Sequence, residues 1–513
     1  MSPTEDEPHD AHREAAGVGV NLLTLAAQAS TPAFHIQLGR SLGTAGYGLY
    51  TTATSLVDVV SVFTLFGMDS VLLRRASIAR DRKDEGAALD AVANALRVVL
   101  ASGLFAGLVV ALGAPWIAHW QHQPRLVTPL RALVVVPIAY HAASMFLLAT
   151  QARMVMKFDF WTRGIFQPLA LLGATGLALH LGGGLGWACV AVASAHSLTA
   201  ILAGTFYGTL YSAPATLRRL VSLPYDPSVL RAGLPLLAMS LVAALRGRID
   251  GILVQYYRGP EAAGAFNACL PYAATLFQLR AAFYPVIAAN IPAMIERRDT
   301  AGLNAMLRRQ TRWVALLAVP VFVLLAGFGD ALLALHGRGF VRAHAAMGVL
   351  SFGYLLSSLS LGSYALPLSG NARFNVYAGL TSVAVQLVVP SLLIPRFGLV
   401  GAAGSFVLAL LVSEAICLTF ARARTGAQGL SLALLKPAAA GAAALVVGLV
   451  TSAAAAHRGV GFLASHAAGV GVAAVVYVAG VLALGLDPDD RAVAVGVAKR
   501  LRDVVVRAMG GDA

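Results

Sequence analysis

Arginines and carboxylates interrupt segments of this sequence that are otherwise apolar over about 20 residues. Two of the arginines, Arg246 and Arg248, share the short segment RGRID with Asp250. Inserting an ionisable side chain near the middle of a bilayer costs about 2.5–3.5 kcal/mol on insertion scales. Each such residue is therefore expected to have a structural or functional role. Guanidinium groups recognise phosphate oxygens through paired hydrogen bonds, so Arg246 and Arg248 are candidate ligands of a diphosphate in a water-filled cavity.

A second interpretation of the same segment needs no ligand. Arg246 and Asp250 are four residues apart, so on a helix they share a face and can neutralise each other. Arg248 would then extend its side chain towards the headgroups. At about 1.5 Å per residue, Arg246 lies some 22 Å from the inner membrane boundary near Arg231, in the outer half of the hydrocarbon. The sequence leaves both interpretations open.

Three further charged residues complete the candidate site. Arg280 is predicted as a second cationic contact with the substrate, as part of an inner gate, or as a side chain that reaches the inner interface. Asp58 is predicted to couple transport to an ion, to be the counter-charge of Arg246, or to be a buried, hydrogen-bonded carboxyl. Asp250 and Glu414 are the other acidic candidates for ion coupling or charge compensation, and a structural role is favoured for Glu414.

The composition identifies the environment of these charges. Hydrophobic residues make up 58% of the 513 residues and charged residues only 12%, whereas soluble domains have about 25% charged residues. We therefore expect an all-α integral membrane protein. Apolar runs predict about fourteen transmembrane helices, near residues 17–38, 48–72, 92–114, 127–149, 164–182, 185–208, 232–255, 262–288, 312–334, 345–368, 374–394, 399–420, 431–453 and 462–485.

Basic residues orient these helices. Of the 38 lysines and arginines, 26 fall in segments on one side of the membrane and 8 in segments on the other, and the remaining four lie within the spans. Arg163 is one of the 26. By the positive-inside rule the first side is the cytoplasm, and both termini lie there. The net charge of +14 follows from this excess of basic residues on the cytoplasmic side, where they face the anionic headgroups of membrane lipids. We therefore expect no nucleic acid as a partner. The acidic start MSPTEDE does not resemble a signal peptide.

A short signature occurs once in each half of the chain. Residues 42–50 read LGTAGYGLY and residues 258–266 read RGPEAAGAF. A single offset superposes Gly43 on Gly259, Gly48 on Gly264, and Tyr50 on Phe266 without a gap. Chance is the alternative in a chain with 51 glycines. The repeat predicts a transporter built from two similar halves around a central site.

The spans and the repeat divide the chain into five parts. We expect a cytoplasmic polar tail at 1–16, a six-helix lobe at 17–222, a second six-helix lobe at 223–425, two additional helices at 426–486, and a cytoplasmic amphipathic tail at 487–513. The three cysteines all fall in apolar spans, which implies neither a disulfide framework nor a metal site. No Walker sequence occurs, and no cofactor is expected.

Several motifs in this order resemble the polysaccharide (O-antigen type) flippase family, in the superfamily that also contains multidrug-and-toxin exporters and lipid II flippases. They are LGTAGYGLY, RAGLPLL at 231–237, RIDGILV at 248–254, GPEAAGAF at 259–266 and IPRFGLVGAAGS at 394–405. The resemblance covers about residues 15–425. It implies two six-helix lobes that alternate access, and export of a polyprenyl-diphosphate-linked saccharide from the cytoplasmic leaflet of the bacterial inner membrane.

Alternatives to this interpretation remain. A multidrug-type, cation-coupled exporter of the same superfamily would have the same helices. A membrane glycan polymerase or ligase needs a catalytic outer loop, and every outer loop here is short, so we expect a transporter and not an enzyme. The expected partners are a lipid-linked oligosaccharide and membrane lipids, with other glycan-assembly proteins as candidates.

Overall fold

The computed structural model describes residues 7–222, 227–371 and 373–485. All regular elements within these ranges are helical. Hydrocarbon offers no water to bind a free N–H or C=O group, so a helix, which satisfies its own backbone, is the stable form there. The predicted all-α class is confirmed. The predicted tail at 487–513 and the first six residues of the predicted tail at 1–16 lie outside the described residues.

The described chain forms helices α1 to α17, of which several are short. A π-helical segment, Phe160–Phe166, precedes α7. The bounds in chain order are α1 Glu7–Leu65, α2 Met68–Asp81, α3 Glu85–Trp120, α4 Val127–Leu133, α5 Val135–Ala152, α6 Lys157–Asp159, α7 Gln167–His180, α8 Leu185–Gly208, α9 Ala213–Ser222, α10 Pro227–Ala282, α11 Tyr284–Glu296, α12 Thr300–Ala334, α13 His344–Ser358, α14 Ala365–Leu368, α15 Arg373–Thr425, α16 Leu435–His457 and α17 Phe462–Ala483.

Three helices are too long for a single crossing of the membrane and bend at glycine. α1, α10 and α15 contain 59, 56 and 53 residues, whereas about 20 suffice for one span. The bends lie at Gly43, Gly259 and Gly398, each with a positive φ. We call the parts before and after each glycine the first and second limb of the helix.

By length and composition alone, nine helical segments of the described chain are able to span a membrane. Two of them, Ser30–Asp81 and Arg373–Thr425, contain a glycine bend and are long enough for two crossings. When each bent helix is counted as two limbs, every one of the fourteen predicted spans falls on helical segments of the structure. The chain is therefore a multi-pass membrane protein.

The repeat predicted from the sequence reappears in the backbone. Gly43 has φ 66° and ψ −178°, and Gly259, its counterpart in the repeat, has φ 79° and ψ 179°. α2 begins at Met68 and α11 at Tyr284, two residues that the same offset relates. Such coincidence of helix starts and of a rare backbone conformation is not expected by chance, so the two halves are built alike.

The chain divides into two compact units. The first comprises Met1–Ala268, Leu333–Arg342 and Val383–Ala402; the second comprises Cys269–Leu332, Ala343–Ser382 and Ala403–Ala513. In the first unit, α2, α3 and α5 enclose a buried apolar cluster that includes Met68, Leu72, Val92, Val99 and Met145.

In the second unit, α12 holds the hairpin of α16 and α17. Phe328 departs from helical geometry with φ −130° and ψ 16°. A Cβ at Gly448 or Gly469 would lie 3.0 or 2.7 Å from its ring, so the ring fills a slot that the two glycines leave open. The Tyr477 hydroxyl donates to the carbonyl of Leu316 at 3.0 Å. The additional helices therefore attach to α12 through specific contacts.

The bend at Gly259 generates a stability prediction. Its φ and ψ fall in a region that is essentially confined to glycine, where another residue costs about 1–3 kcal/mol. We expect Gly259→Ala to destabilise the protein by that amount in thermal unfolding in detergent. Gly471→Ala is the matched control, because Gly471 lies inside α17 with nothing within 4 Å of an added Cβ. Equal melting temperatures for the two variants would contradict the prediction.

Candidate functional site

The second limb of α1 and the first limb of α10 lie side by side and run antiparallel within the first unit. Their contacts follow one another along the whole length of the pair. In order, they join Phe66, just after the end of α1, to Gly233, then Asp58 to Arg248 and Thr52 to Gln255. The last contact joins Gly48 to Pro260, just after the bend of α10. This pairing positions the charged segment RGRID against α1.

Arg248 forms an ion pair with Asp58 on the facing helix. The Arg248 Nη2 to Asp58 Oδ2 distance is 2.8 Å, and 48% and 40% of the two side chains are exposed. The expectation that Asp58 is the counter-charge of Arg246 is therefore corrected to Arg248. Residues two apart on a helix point to nearly opposite sides, whereas seven residues bring the chain back to the same face. Arg248 and Gln255 thus both face α1.

Asp250 is held by a residue that the sequence did not identify. Gln386, on the first limb of α15, donates through Nε2 to Asp250 Oδ2 at 2.8 Å and to the carbonyl of Arg246 at 3.1 Å. Both side chains are buried. Asp250 Oδ1 and Gln386 Oε1 have no hydrogen-bond partner among the described residues. An amide within a mostly apolar span was the only available signal for Gln386.

Arg246 is not neutralised by Asp250, contrary to the second interpretation of this segment. Its side chain is half-buried, and it makes no ion pair with any residue that the structure describes. Asp250 points towards α15 instead, because Gln386 offers it a short and fully buried hydrogen bond. The RGRID segment therefore contains two different guanidinium groups. That of Arg246 has no counter-charge among the described residues, and that of Arg248 is paired with Asp58.

Arg280 and Glu414 form a separate, dry ion pair in the second unit. The Arg280 Nη1 to Glu414 Oε1 distance is 2.6 Å, and only 4% and 14% of the side chains are exposed. Arg280 also donates to the Ser357 carbonyl and the Ser363 hydroxyl at 2.8 and 2.6 Å. Its guanidinium carbon lies 4.4 Å from the centre of the Tyr364 ring. The expected extension of Arg280 to the interface is thus corrected, because its charge is compensated where it is.

Arg163 is a charged residue that the sequence analysis assigned to an inner loop. It lies on the π-helical segment Phe160–Phe166 in the first unit. It pairs with Asp159 at 3.7 Å, donates to the hydroxyl of Ser144, and lies 5.2 Å from the centre of the Tyr140 ring. No sequence pattern marks a π-helix, so this cluster could not be predicted.

The two ion pairs differ in what surrounds them. Removing one partner of a buried pair costs about 3–5 kcal/mol because a charge is left uncompensated, whereas exposed pairs contribute about 0–1 kcal/mol. Among the described residues, no group of three or more His, Cys, Asp or Glu side chains could hold a metal ion. Around the RGRID segment, the Asp58–Arg248 pair is exposed and Arg246 is half-buried, whereas Asp250 is buried, so a ligand could reach the first three side chains.

The dry pair leads to a testable expectation. We expect Glu414→Gln to destabilise the protein by about 3–5 kcal/mol in denaturant unfolding in detergent micelles, because Arg280 loses its counter-charge. The double variant Arg280→Met, Glu414→Leu removes both charges and should recover most of the loss. Asp58→Asn, at the exposed pair, is the matched control and should change stability by about 1 kcal/mol or less. A loss of similar size in Asp58→Asn and Glu414→Gln would refute the distinction.

Comparison with known proteins agrees with this architecture. The sequence profile of the family described as "Polysaccharide biosynthesis protein" matches residues 38–337. No protein with a curated description matches the sequence. The fold is similar to that of lipid II flippase MurJ in an inward closed conformation, with a TM-score of 0.67 at 11% identity over 90% of this chain and 98% of that chain.

A second similar structure is an inward-facing multidrug resistance MATE family transporter of the MOP superfamily. Its TM-score is 0.61 at 12% identity, over 79% of this chain and 98% of that chain. At such low identity the likeness concerns the fold alone. The profile match covers more than half of the 513 residues. The chain belongs to the polysaccharide biosynthesis protein family, and its fold is similar to those of these two structures.

Proposed function

We propose that this protein is a flippase that moves a polyprenyl-diphosphate-linked saccharide across the bacterial inner membrane for polysaccharide or lipopolysaccharide assembly. Its two lobes, 17–222 and 223–425, would alternate access, with the helices at 426–486 added to them and both termini in the cytoplasm. The proposal rests above all on one observation: an exposed Asp58–Arg248 ion pair between two helices of a multi-pass membrane protein, two residues from Arg246, which makes no ion pair with a described residue.

The exposure of these charges argues for a water-accessible space. Arg248 lies eleven residues before the bend at Gly259, about 16 Å along the helix, and its spacing from Arg231 assigns it to the outer half of the hydrocarbon. A charge facing lipid at that depth costs about 2.5–3.5 kcal/mol, and two charges would double the cost. Side chains that are nearly half exposed there are therefore expected to face water, as in a substrate path.

The chemistry of the arginines fits a diphosphate. Arg246 has no counter-charge among the described residues, and a guanidinium fork matches the spacing of phosphate oxygens. Arg248 is compensated by Asp58, so an arriving phosphate would compete with the carboxylate for it. In this scheme Asp58 holds Arg248 in place while the site is empty and releases it to the substrate. Arg280 and Glu414, which compensate each other, would support the helices rather than the substrate.

The membrane potential is a sufficient driving force for such a substrate. Moving one charge through 100 mV is worth about 2.3 kcal/mol, so a doubly negative headgroup moving outward gains about 4–5 kcal/mol when the inside is negative. The polyprenyl chain would remain in lipid while the sugars cross. This scheme needs neither a nucleotide nor a catalytic step, and the protein would act as a transporter in contact with membrane lipids and other glycan-assembly proteins.

One observation favours a second candidate, a cation-coupled exporter of the multidrug type. Asp250 is buried with Oδ1 unpaired beside the unpaired Oε1 of Gln386. Two such oxygens could accept a proton or a small cation and so couple its movement to transport. The accessible charged groups are nevertheless Arg246, Arg248 and Asp58. Because Asp58 is paired with Arg248, the positive charge of Arg246 is left over. This balance favours an anionic substrate over a cationic one.

Loss of the arginines should interrupt export. We expect Arg246→Ala and Arg248→Ala each to slow flipping about tenfold or more, because a hydrogen bond to a charged group contributes about 1.5–3 kcal/mol. The measurement is the inner-leaflet pool of lipid-linked saccharide in cells that lack the gene, complemented with each variant. Arg458→Ala, at an exposed position after α16, should restore export like the wild type. An unchanged pool together with altered sensitivity to cationic drugs would favour the exporter instead.

Asp58 should be dispensable for transport driven by the membrane potential. We expect Asp58→Asn to retain flipping within about fivefold of the wild type, since an exposed pair contributes about 0–1 kcal/mol. The same complementation assay measures it, with membrane insertion checked by immunoblot. Complete loss of flipping in a normally inserted Asp58→Asn protein would show that the carboxylate takes part in coupling.

A further inference from the structure

The second limb of α1 crosses α10 at a point where backbone meets backbone, which we call the glycine crossing. A Cβ at Gly48 would lie 1.8 Å from the carbonyl oxygen of Pro260, and a Cβ at Gly264 would lie 2.1 Å from that of Thr44. Neither position can accept a side chain without separating the helices. Both glycines follow closely on the bends at Gly43 and Gly259, so the crossing lies at the same end of both helices.

The glycine crossing joins equivalent residues of the two halves. The offset that relates the two bends also relates Thr44 to Pro260, Gly48 to Gly264, and Thr51 to Asn267. Gly48 approaches Pro260 as Gly264 approaches Thr44, which is the reciprocal pattern of contacts around a twofold axis. Any movement of one half relative to the other must therefore act on this point.

Polar side chains line the crossing on its deeper side. Asn267 Nδ2 donates to Thr51 Oγ1 at 3.0 Å, and Thr52 Oγ1 donates to Gln255 Oε1 at 3.3 Å. All four side chains are buried, and Gln255 Nε2 has no partner among the described residues. We call these four residues the polar layer.

A contact of this kind is poorly suited to remain closed permanently. A fixed interface at this depth would be more stable with apolar side chains, because a buried donor without an acceptor weakens the contact. Amide and hydroxyl groups can instead bind each other when dry and bind water when separated. The two hydrogen bonds and the unused Gln255 donor therefore suit a contact that alternates between the two states.

The polar layer also lies in the right place on the proposed path. Thr51 and Asn267 are each eight residues beyond a bend, about 12 Å along the helix. Asp58 and Arg248 lie deeper on the same helices, at about 22 and 16 Å from those bends. The bends belong to the side that the positive-inside pattern assigns to the exterior. The layer therefore separates the charged pair from that side.

We infer that Thr51, Thr52, Gln255 and Asn267, closed by the glycine crossing, form the outer gate of the transport path and separate when the site opens to the exterior. This inference rests on the proposed function, since it requires that access to the site alternates. It assigns the polar layer a role that the charged residues do not have: it controls access to the site without contacting the substrate's phosphates.

Thiol accessibility tests whether the gate opens. The full-length chain with its three native cysteines replaced by serine receives Asn267→Cys, and intact cells are treated with a membrane-impermeant methanethiosulfonate. We expect labelling at about 0.1–10% of the rate of a free thiol, the range of a minor conformer. A variant that keeps only the native Cys189, fully buried in α8, is the reference and should label far more slowly. Equal rates for the two thiols would overturn the inference.

Bridging tests whether opening is needed for transport. Thr51→Cys and Asn267→Cys are combined and linked with a short bifunctional methanethiosulfonate, and flipping of lipid-linked saccharide is followed before and after reduction. We expect the bridged protein to be inactive and reduction to restore it. The control bridge joins Gly107→Cys to Val134→Cys, where an added Cβ lies 3.7 Å from that of Val134 within one half of the chain. Full activity of the protein bridged at 51 and 267 would refute the gate.

The two measurements separate this inference from the proposed function. If the wild-type protein fails to move a lipid-linked saccharide, the proposed function is wrong, yet labelling of the Asn267→Cys variant still reports opening. If it moves the saccharide but position 267 labels no faster than Cys189, the function stands and the gate lies elsewhere.

Discussion

Hydrocarbon cannot solvate a charge, and the arrangement of ionisable residues in this protein follows from that constraint. A charge inside a membrane-spanning helix must either find a partner in a dry, hydrogen-bonded setting or reach water. The structure contains one clear case of each. Arg280 and Glu414 are almost completely enclosed, with two serines and a tyrosine around the guanidinium. Asp58 and Arg248 are paired yet nearly half exposed. The exposed pair is the one that a ligand can compete for.

The bent helices provide the second constraint. A chain that crosses the membrane and turns back normally leaves the helix, but α1, α10 and α15 continue through a glycine with positive φ. Only glycine adopts the conformation of Gly43 and Gly259 without strain. The bends allow two limbs of one helix to contact different neighbours, so α1 pairs with α10 along its second limb. That pairing brings Asp58 to Arg248 and the polar layer to the glycine crossing.

Stability and access place opposite demands on the same helices. Arg280 donates to Glu414, Ser357 and Ser363, although its Nε and the Oε2 of Glu414 have no partner among the described residues. At Gln255 a buried donor is left free, and at Asp250 a carboxylate oxygen is free as well. Free polar atoms in a buried position lower stability, and they occur both at the Arg280–Glu414 pair and on the first limb of α10. α10 is thus both the structural partner of α1 and the element that presents the charges.

The sequence by itself determined the class of protein, the helical spans and the twofold repeat. These features depend on local composition and on the spacing of glycines such as Gly43 and Gly259, which the chain displays directly. Charged residues in apolar runs are also visible without a structure, and each is a candidate for a structural or functional role. They are Asp58, Arg246, Arg248, Asp250, Arg280 and Glu414. Which charges meet was decided only by the tertiary structure. Arg248 rather than Arg246 faces Asp58, and Gln386 rather than Arg246 holds Asp250. These pairs depend on the rotation and packing of helices far apart in the chain, which spacing along one helix cannot specify.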